Sequence, residues 1–324
     1  MRTVTFTQII RETLAAEMRR DPSVFLMGED IGVYGGAFGV TRGLIEEFGT
    51  ERIRDTPISE QALTGIAIGA AVAGQRPVIE FMFMDFITLA VDQIVNMAAK
   101  LHPIYGQRCP LVLRAPPGGG RGYGATHSQS LERIFACVPG IKIAAPSNAH
   151  DASGLLQTAV RDDNPVLFLE HKLLYPQRFE VGDSLPQPIP FGFARHTHEG
   201  DDVTIVAWSH MAFLARQAAA ELAAAGIEAD VVDLLTLNPL DIDAVVESAQ
   251  RTGRVLIAEE GPKTGGFAAE IAAQVMERAH DYLEKPVLRV AGADFPVPSA
   301  KHLEAACLPS IRDITDAARS MVDA

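Results

Sequence analysis

Glu60 is the first residue of this sequence whose setting suggests chemistry. It follows Ser59 where a short strand-like stretch gives way to a helical pattern, and the next charged residue is Arg76. A carboxyl in such apolar surroundings would have a raised proton affinity, which suits a group that donates or accepts one proton in catalysis. The alternative role is structural, since an acidic residue at a helix start complements the helix dipole.

A glycine-rich loop carries the second candidate, His127. The loop has the sequence GGGRGYGATHSQS at residues 118–130, and its glycines permit positive φ and close approach of the backbone. A histidine on a water-accessible loop can shuttle protons near neutral pH, with a surface or capping role as the alternative. Neither this loop nor the glycines near Gly35 match the GxxxxGK[ST] motif or a GxGxxG motif after a strand, so these nucleotide-binding devices are not expected.

Regular secondary structure must position these loops, and the apolar pattern of the sequence indicates the type of fold. Continuous apolar stretches alternate with helical patterns, which is typical of a parallel sheet covered on both faces. The pattern is lost at residues 171–199, where prolines accumulate, and it resumes at residue 203. We therefore predict an α/β protein with two parallel-sheet domains, residues 1–175 and 200–324, joined by a linker at 176–199. The predicted strands lie at residues 24–28, 77–81, 110–115, 141–145, 165–170, 203–208, 227–234 and 254–260.

The composition restricts the classes of partner and compartment. A net charge of −13 would be repelled by nucleic acids and by anionic membranes, so neither is expected as a partner. The three cysteines are far apart and form no CxxC pair, which fits a reducing cytoplasm better than a disulfide framework. The amino end has no apolar signal core, and we expect a cytoplasmic protein. The apolar run at 62–74 is too short to span a membrane and is interpreted as a buried helix or a packed subunit interface.

One family resembles this sequence along nearly its whole length. The beta subunits of the decarboxylating component of 2-oxo acid dehydrogenase complexes are similar to it in four stretches: GEDIGVYGGAFGVTRGL, RIRDTPISEQALTGIAIGAAVAGQRPVIEFMF, THSQS and VRDDNPVLFLEHKLLY. These stretches occur in the same order and with the same spacing as in that family. The resemblance implies a transketolase-like arrangement, with an amino-terminal pyrimidine-binding domain and a carboxy-terminal domain.

The resemblance implies thiamine diphosphate as the cofactor and assigns roles to three residues. Glu60 matches the glutamate that hydrogen-bonds the pyrimidine ring nitrogen, which favours the imino tautomer that removes the thiazolium proton. Phe86 matches the aromatic residue placed against the pyrimidine ring, with an ordinary core phenylalanine as the alternative. His127 matches a histidine near the substrate, which is expected to protonate intermediates or to aid transfer of the acyl group to a lipoyl arm.

The same family accounts for a motif that the sequence lacks. Thiamine diphosphate enzymes hold the diphosphate and its magnesium with a GDG stretch followed by an asparagine, and no such pattern occurs here. The resemblance therefore implies an alpha subunit that carries the magnesium site, in a heterotetramer of two alpha and two beta chains. It also implies a lipoyl-bearing acyltransferase as a further partner.

Potassium is a further ion that the resemblance suggests. Some relatives bind it near the cofactor through backbone carbonyls and through Asp and Asn side chains, and such oxygen ligands suit the ion. The alternative is a simple turn before a strand, stabilised by the Asp and Asn side chains. The matching positions here are Leu111, Ala159, Val160, Asp162 and Asn164.

The substrate and the class of function leave alternatives open. Pyruvate is the substrate that we favour, because Glu170-His171-Lys172 looks closer to pyruvate and acetoin members, and a branched-chain 2-oxo acid or acetoin is the alternative. A non-catalytic scaffold that docks a lipoyl acyltransferase is an alternative of another class. A single-chain transketolase-like synthase would need a diphosphate site of its own. The pair Glu60 and His127 favours an enzyme subunit, since a pure scaffold would need neither group.

Overall fold

The structure is a computed structural model that describes residues 1–323. Contacts within the chain group it into two compact units. Unit 1 comprises Met1–Pro117 and Ile134–Phe191, and unit 2 comprises Gly118–Arg133 and the chain from Gly192 onward. The second boundary falls inside the segment that the sequence assigns to a linker. The loop that carries His127 groups with unit 2, whereas the sequence analysis places it in the first domain.

Strands and helices alternate along the chain. The strands are β1 (Arg2–Thr5), β2 (Val24–Gly28), β3 (Ile53–Asp55), β4 (Arg76–Glu80), β5 (Val112–Ala115), β6 (Lys142–Ala144), β7 (Val166–Leu169), β8 (Arg178–Val181), β9 (Arg195–His198), β10 (Val203–Ala207), β11 (Ala229–Asp233), β12 (Thr236–Asn238), β13 (Val255–Pro262) and β14 (Leu288–Gly292). The α-helices are α1 (Phe6–Arg20), α2 (Leu44–Phe48), α3 (Glu60–Val72), α4 (Ala99–Tyr105), α5 (Glu132–Ala136), α6 (Ala149–Arg161), α7 (Ser209–Ala223), α8 (Ile242–Thr252), α9 (Phe267–Ala279), α10 (Lys301–Cys307) and α11 (Ile311–Val322). Short 3₁₀ segments lie at Met84–Ala90 and His280–Tyr282, and a π-helical segment lies at Gln93–Ala98.

Six parallel strands lie side by side in unit 1, in the order β6-β7-β5-β4-β2-β3. Strands β2, β5 and β7 are buried along their whole length, as their continuous apolar sequences predict. The chain passes from β2 to β3 on one side and returns to β4 on the other. The carboxyl ends of β2 and β4 therefore form a topological switch point, the place where open α/β sheets bind ligands.

A short antiparallel pair, β1 with β8, completes unit 1. At the end of β1, the Thr5 hydroxyl accepts the backbone N–H of Gln8 at 3.1 Å and so caps α1. Strands β8 and β9 lie within the predicted linker. Each has four residues and is largely not buried, which leaves little apolar periodicity for a sequence pattern to reveal.

Unit 2 contains a five-stranded sheet in the order β14-β13-β10-β11-β9. Its strands are parallel except for β9, which runs antiparallel to β11. Helices α7 and α11 contribute Ala215, Leu222 and Ile314 to a buried cluster with Ile205 of β10. The chain leaves β10 toward β11 on one side and later reaches β13 on the other, so the carboxyl ends of β10 and β13 form the switch point of this unit.

The apolar run at 62–74 forms most of α3. One face of this helix is buried through Leu63, Ala67 and Ile68, while Ile66 on the other face is 61% exposed. Among residues 1–323, no helix combines the length and the apolar character needed to cross a membrane.

Candidate active site

Glu60 is the first residue of α3, and its side chain is buried with 5% of its surface exposed. One turn later, the Thr64 hydroxyl donates a hydrogen bond to the Glu60 carbonyl oxygen at 2.8 Å. Ser59, at the N-cap, makes no capping bond with its side chain. The carboxyl has the buried position that the sequence predicts, and its catalytic role stays a prediction.

A second buried carboxyl, Glu29, directly follows β2 and interacts with Glu60. Burial raises the pKa of Glu29, the negative charge of Glu60 raises it further, and a hydrogen bond from the Ser59 backbone opposes both effects. Oε1 of Glu29 has no hydrogen-bond partner among the residues that the structure describes. Buried polar atoms are rarely left without a partner, so this oxygen suits a bound polar group. The position of Glu29 directly after a strand is the sequence signal that could have identified it, because ligands of open α/β sheets bind beyond the carboxyl ends of strands.

Phe86 belongs to a row of aromatic side chains in unit 1. Its ring lies 5.7 Å from that of Phe83 at an interplanar angle of 76°, and Phe83 meets Phe38 at 5.6 Å in the same edge-to-face manner. Phe38 in turn stacks on Tyr175 at 5.0 Å. Phe86 is only half-buried, in contrast to an ordinary core phenylalanine. It therefore has surface left to contact a further ring.

A buried ion network includes Tyr175, the residue on which Phe38 stacks. Arg114 forms a bidentate pair with Glu170, at 2.6 and 2.7 Å, and also pairs with Glu80. The Tyr175 hydroxyl donates to Glu170 Oε2 at 2.8 Å. Burial raises the pKa of Glu80, and the positive charge of Arg114 opposes that rise. Gly36 lies so close that a Cβ there would be 2.6 Å from Glu80 Oε1, and its φ of +80° also requires glycine.

His127 lies in unit 2, whereas Glu60 and Phe86 lie in unit 1. Its imidazole is half-buried, and Nδ1 lies 3.0 Å from the Thr126 hydroxyl. Its backbone N–H donates to the Gly124 carbonyl at 3.2 Å, which closes a tight turn. A hydroxyl neighbour and partial exposure suit a group that gives and takes protons.

Two domain families match the chain. Residues 2–178 match the transketolase pyrimidine-binding domain, and residues 192–314 match the transketolase carboxy-terminal domain. A solved structure, described as a split-gene transketolase in the form of an inactive beta4 tetramer, has a TM-score of 0.78 and 24% identity. The match covers 97% of this chain and 97% of that one, and it shows a shared fold.

Curated relatives narrow the family further. The chain is 46% identical to the pyruvate dehydrogenase E1 component subunit beta of Rickettsia bellii, over 98% of both chains. It is 44% identical to the mitochondrial subunit beta-1 of Arabidopsis thaliana, over 98% of this chain and 88% of that one. The chain belongs to the pyruvate dehydrogenase E1 beta-subunit family. The predicted transketolase-like α/β fold and the predicted beta subunit of a 2-oxo acid dehydrogenase are thereby confirmed.

The carboxylate of Asp162, one of the positions matched to potassium ligands in some E1 beta subunits, already has protein partners. It accepts the Asn164 backbone N–H at 2.9 Å and the Asn164 side-chain amide at 3.2 Å, and it forms an ion pair with Lys142. This arrangement is the stabilised turn that the sequence analysis gave as the alternative. The lysine charge also makes the carboxylate a poorer ligand for a second cation.

The backbone carbonyls at the remaining positions accept hydrogen bonds as well. Arg76 donates to the carbonyls of Val160 and Asp162 at 3.2 and 2.9 Å. The carbonyls of Leu111 and Ala159 accept backbone N–H groups at 2.9 and 3.3 Å. Each carbonyl keeps a second lone pair, so carbonyl ligation of potassium fits these residues better than ligation by Asp162 Oδ. Potassium binding stays a prediction.

Proposed function

We propose that this chain is the beta subunit of a thiamine-diphosphate-dependent pyruvate dehydrogenase, which decarboxylates pyruvate and acylates a lipoyl group reductively. The observation that carries the proposal is the buried carboxyl of Glu60 at the start of α3, coupled to the buried Glu29. A domain that matches a pyrimidine-binding family holds both groups. This is a setting for proton exchange with a ring nitrogen, because a carboxyl held in a fixed, buried position can share a proton with a group bound beside it.

Thiamine diphosphate, when bound, supplies the carbon nucleophile and the electron sink for decarboxylation. Glu60 holds a proton at the pyrimidine ring nitrogen through a hydrogen bond. Phe86 would place its half-buried ring against the pyrimidine and exclude water from it. We assign proton transfer near the substrate to His127.

The proposal divides the work between two polypeptides. The sequence contains no GDG stretch followed by an asparagine, so we assign the diphosphate and its magnesium to an alpha subunit, in a heterotetramer of two alpha and two beta chains. The lipoyl group belongs to an acyltransferase component. The acidic net charge of −13 suits a basic docking partner of that kind, and we place the complex in the cytoplasm.

The experiment is a substrate screen on the chain co-purified with its alpha subunit. We expect pyruvate to be decarboxylated faster than branched-chain 2-oxo acids or acetoin, and the chain alone to be inactive. Glu60→Gln should lower turnover about 100-fold to 10,000-fold, because a positioned acid–base group is lost. Glu51→Gln is the matched control, since the side chain of Glu51 is 92% exposed. Full activity of the isolated chain would contradict the divided site, and full activity of Glu60→Gln would contradict the catalytic role.

Potassium has a separate test. Carbonyl ligation predicts a higher unfolding temperature in potassium chloride than in choline chloride of equal ionic strength, because an ion that binds only the folded state stabilises it. Identical unfolding temperatures in the two salts would contradict potassium binding. Asp162 and Asn164 would then serve only to stabilise the turn.

A further inference from the structure

We propose that Glu304 is a positioning residue for His127. Its carboxylate accepts hydrogen bonds from backbone N–H groups of the glycine loop, residues 118–124. Glu260 assists it at the start of the loop. The inference rests on the role proposed above for His127. Both glutamates are distant from the loop in sequence and belong to the same unit as the loop.

The loop backbone has the shape of an anion-binding nest. Gly118, Gly120, Gly122 and Gly124 have φ values of +96°, +88°, +71° and +81°. Left-handed residues at every second position turn successive N–H groups toward a common centre, and such concavities bind anions. Glycine is the residue that adopts this conformation without steric cost. The loop therefore has the backbone of an anion site, although its sequence matches neither nucleotide-binding motif.

Carboxylates of the protein itself accept hydrogen bonds from the N–H groups of this loop. The N–H groups of Gly120 and Gly122 donate to Oε1 and Oε2 of Glu304 at 2.9 and 2.8 Å. The N–H of Gly119 donates to Glu260 Oε1 at 2.8 Å. Glu304 is buried, with 3% of its surface exposed, so water does not weaken these bonds. Hydrogen bonds from amides to an ionised carboxylate are stronger than those between neutral groups.

The fit around Glu304 is tight. A Cβ at Gly119 would lie 3.3 Å from Glu304 Oε1 and 2.7 Å from a methyl carbon of Leu308. A Cβ at Gly122 would lie 3.0 Å from the Ser299 carbonyl oxygen. The carboxylate thus lies against the glycine backbone itself, and the loop has little room to shift while these bonds persist.

A second anchor holds the other end of the loop. The Trp208 indole N–H donates to Glu132 Oε1 at 3.1 Å, five residues after His127. The Ser130 hydroxyl lies 3.4 Å from Glu260 Oε1. His127 therefore lies between the amide anchor at one end and the Trp208 contact at the other. Release of either anchor should let the imidazole move, and misplacement of a catalytic group by about 1 Å can lower a rate roughly 100-fold.

The test compares Glu304→Ala and Glu304→Gln in the complex assembled with the alpha subunit. Hydrogen exchange of amides 118–127 measures the anchor directly, and exchange in Glu304→Ala should be about 10-fold to 100-fold faster. Turnover should fall roughly 10-fold to 100-fold with little change in the KM for pyruvate. Glu304→Gln keeps one acceptor oxygen and should lie between Glu304→Ala and the unaltered chain. Glu277→Gln, an exposed glutamate of α9, is the control and should change neither quantity.

Formate tests whether the carboxylate itself holds the loop. It can enter the space left by the side chain in Glu304→Ala and return a carboxylate to the amides, so it should restore slow exchange and part of the turnover. Unchanged exchange in Glu304→Ala would overturn the anchor. Faster exchange with normal turnover, in a complex that His127→Asn impairs, would overturn the positioning role. Normal turnover in His127→Asn would instead refute the proposed role of His127. The hydrogen-exchange rates alone would then decide whether Glu304 anchors the loop.

Discussion

The negative charge of Glu60 helps to raise the pKa of the buried Glu29 carboxyl. The two side chains are each 5% exposed, one after β2 and the other at the start of α3. Burial is the larger cause of this raised pKa, and both effects favour a proton on Glu29. The negative charge that acts on Glu29 belongs to Glu60, the carboxyl that is proposed to hold the protonated ring nitrogen.

Replacement of Phe86 should weaken cofactor binding more than it weakens the fold. Phe86→Leu removes the half-exposed end of the aromatic row and should raise the concentration of thiamine diphosphate required for half-maximal activity about 2-fold to 10-fold, since an aromatic contact contributes roughly 0.5–1.5 kcal/mol beyond burial. Phe86→Tyr keeps the ring and serves as the control. Equal cofactor requirements for the leucine variant and the unaltered chain would show that the ring does not contact the cofactor.

Loss of Arg114 should destabilise unit 1 strongly. Arg114→Met leaves the buried Glu80 and Glu170 without their cation, and removal of one partner from a buried ion pair costs about 3–5 kcal/mol. Urea unfolding measures this loss of free energy of unfolding. Arg54→Met is the control, because Arg54 is half-exposed and its partner Glu51 is 3.8 Å away. A loss for Arg114→Met no larger than that for the control would contradict the importance of the network.

Glu259 should make the stability of unit 2 depend on pH. Burial, with the nearby Glu132 adding to it, raises the pKa of Glu259 to about 7, while the Ala268 backbone N–H opposes the rise. The folded state therefore keeps a proton that the unfolded state has already lost. The stabilisation is complete below the ordinary carboxyl pKa of about 4.5 and disappears as the pH rises through about 7.

The measurement for Glu259 is the free energy of unfolding between pH 5 and pH 8. Glu259 should contribute a loss of about 3 kcal/mol at most across the window set by its shift, because each pKa unit corresponds to about 1.4 kcal/mol. Glu259→Gln cannot ionise, so its stability should vary less over the same range. A parallel pH dependence in the variant and in the unaltered chain would assign the effect to other groups.

The scaffold was predictable from the sequence because its signals are local. The apolar stretches at 24–28 and 203–208 correspond to β2 (Val24–Gly28) and β10 (Val203–Ala207). Buried parallel strands are continuous apolar runs, so a few neighbouring residues are enough to recognise each one as a strand. Glu60 was found in the same way, from the uncharged run that follows it.

The contacts that support the site could not be predicted in this way. The hydrogen-bonded residues Gly120 and Glu304 are 184 positions apart in the sequence, and Glu132 and Trp208 are 76 positions apart. Nothing in the neighbouring residues distinguishes Glu304 from an exposed helical glutamate, because its partners are backbone amides contributed by a distant loop. The pairing follows from the folding of unit 2, which brings the glycine loop and α10 together.

The most direct test of the account is the exchange of the thiazolium C2 proton of thiamine diphosphate bound to the assembled complex. This measurement reports the proton step that Glu60 is proposed to promote, before any substrate is bound. We predict that Glu60→Gln binds the cofactor but exchanges this proton about 100-fold to 10,000-fold more slowly than the unaltered complex. Exchange at the unaltered rate in Glu60→Gln, with the cofactor bound, would contradict the central role given to this carboxyl.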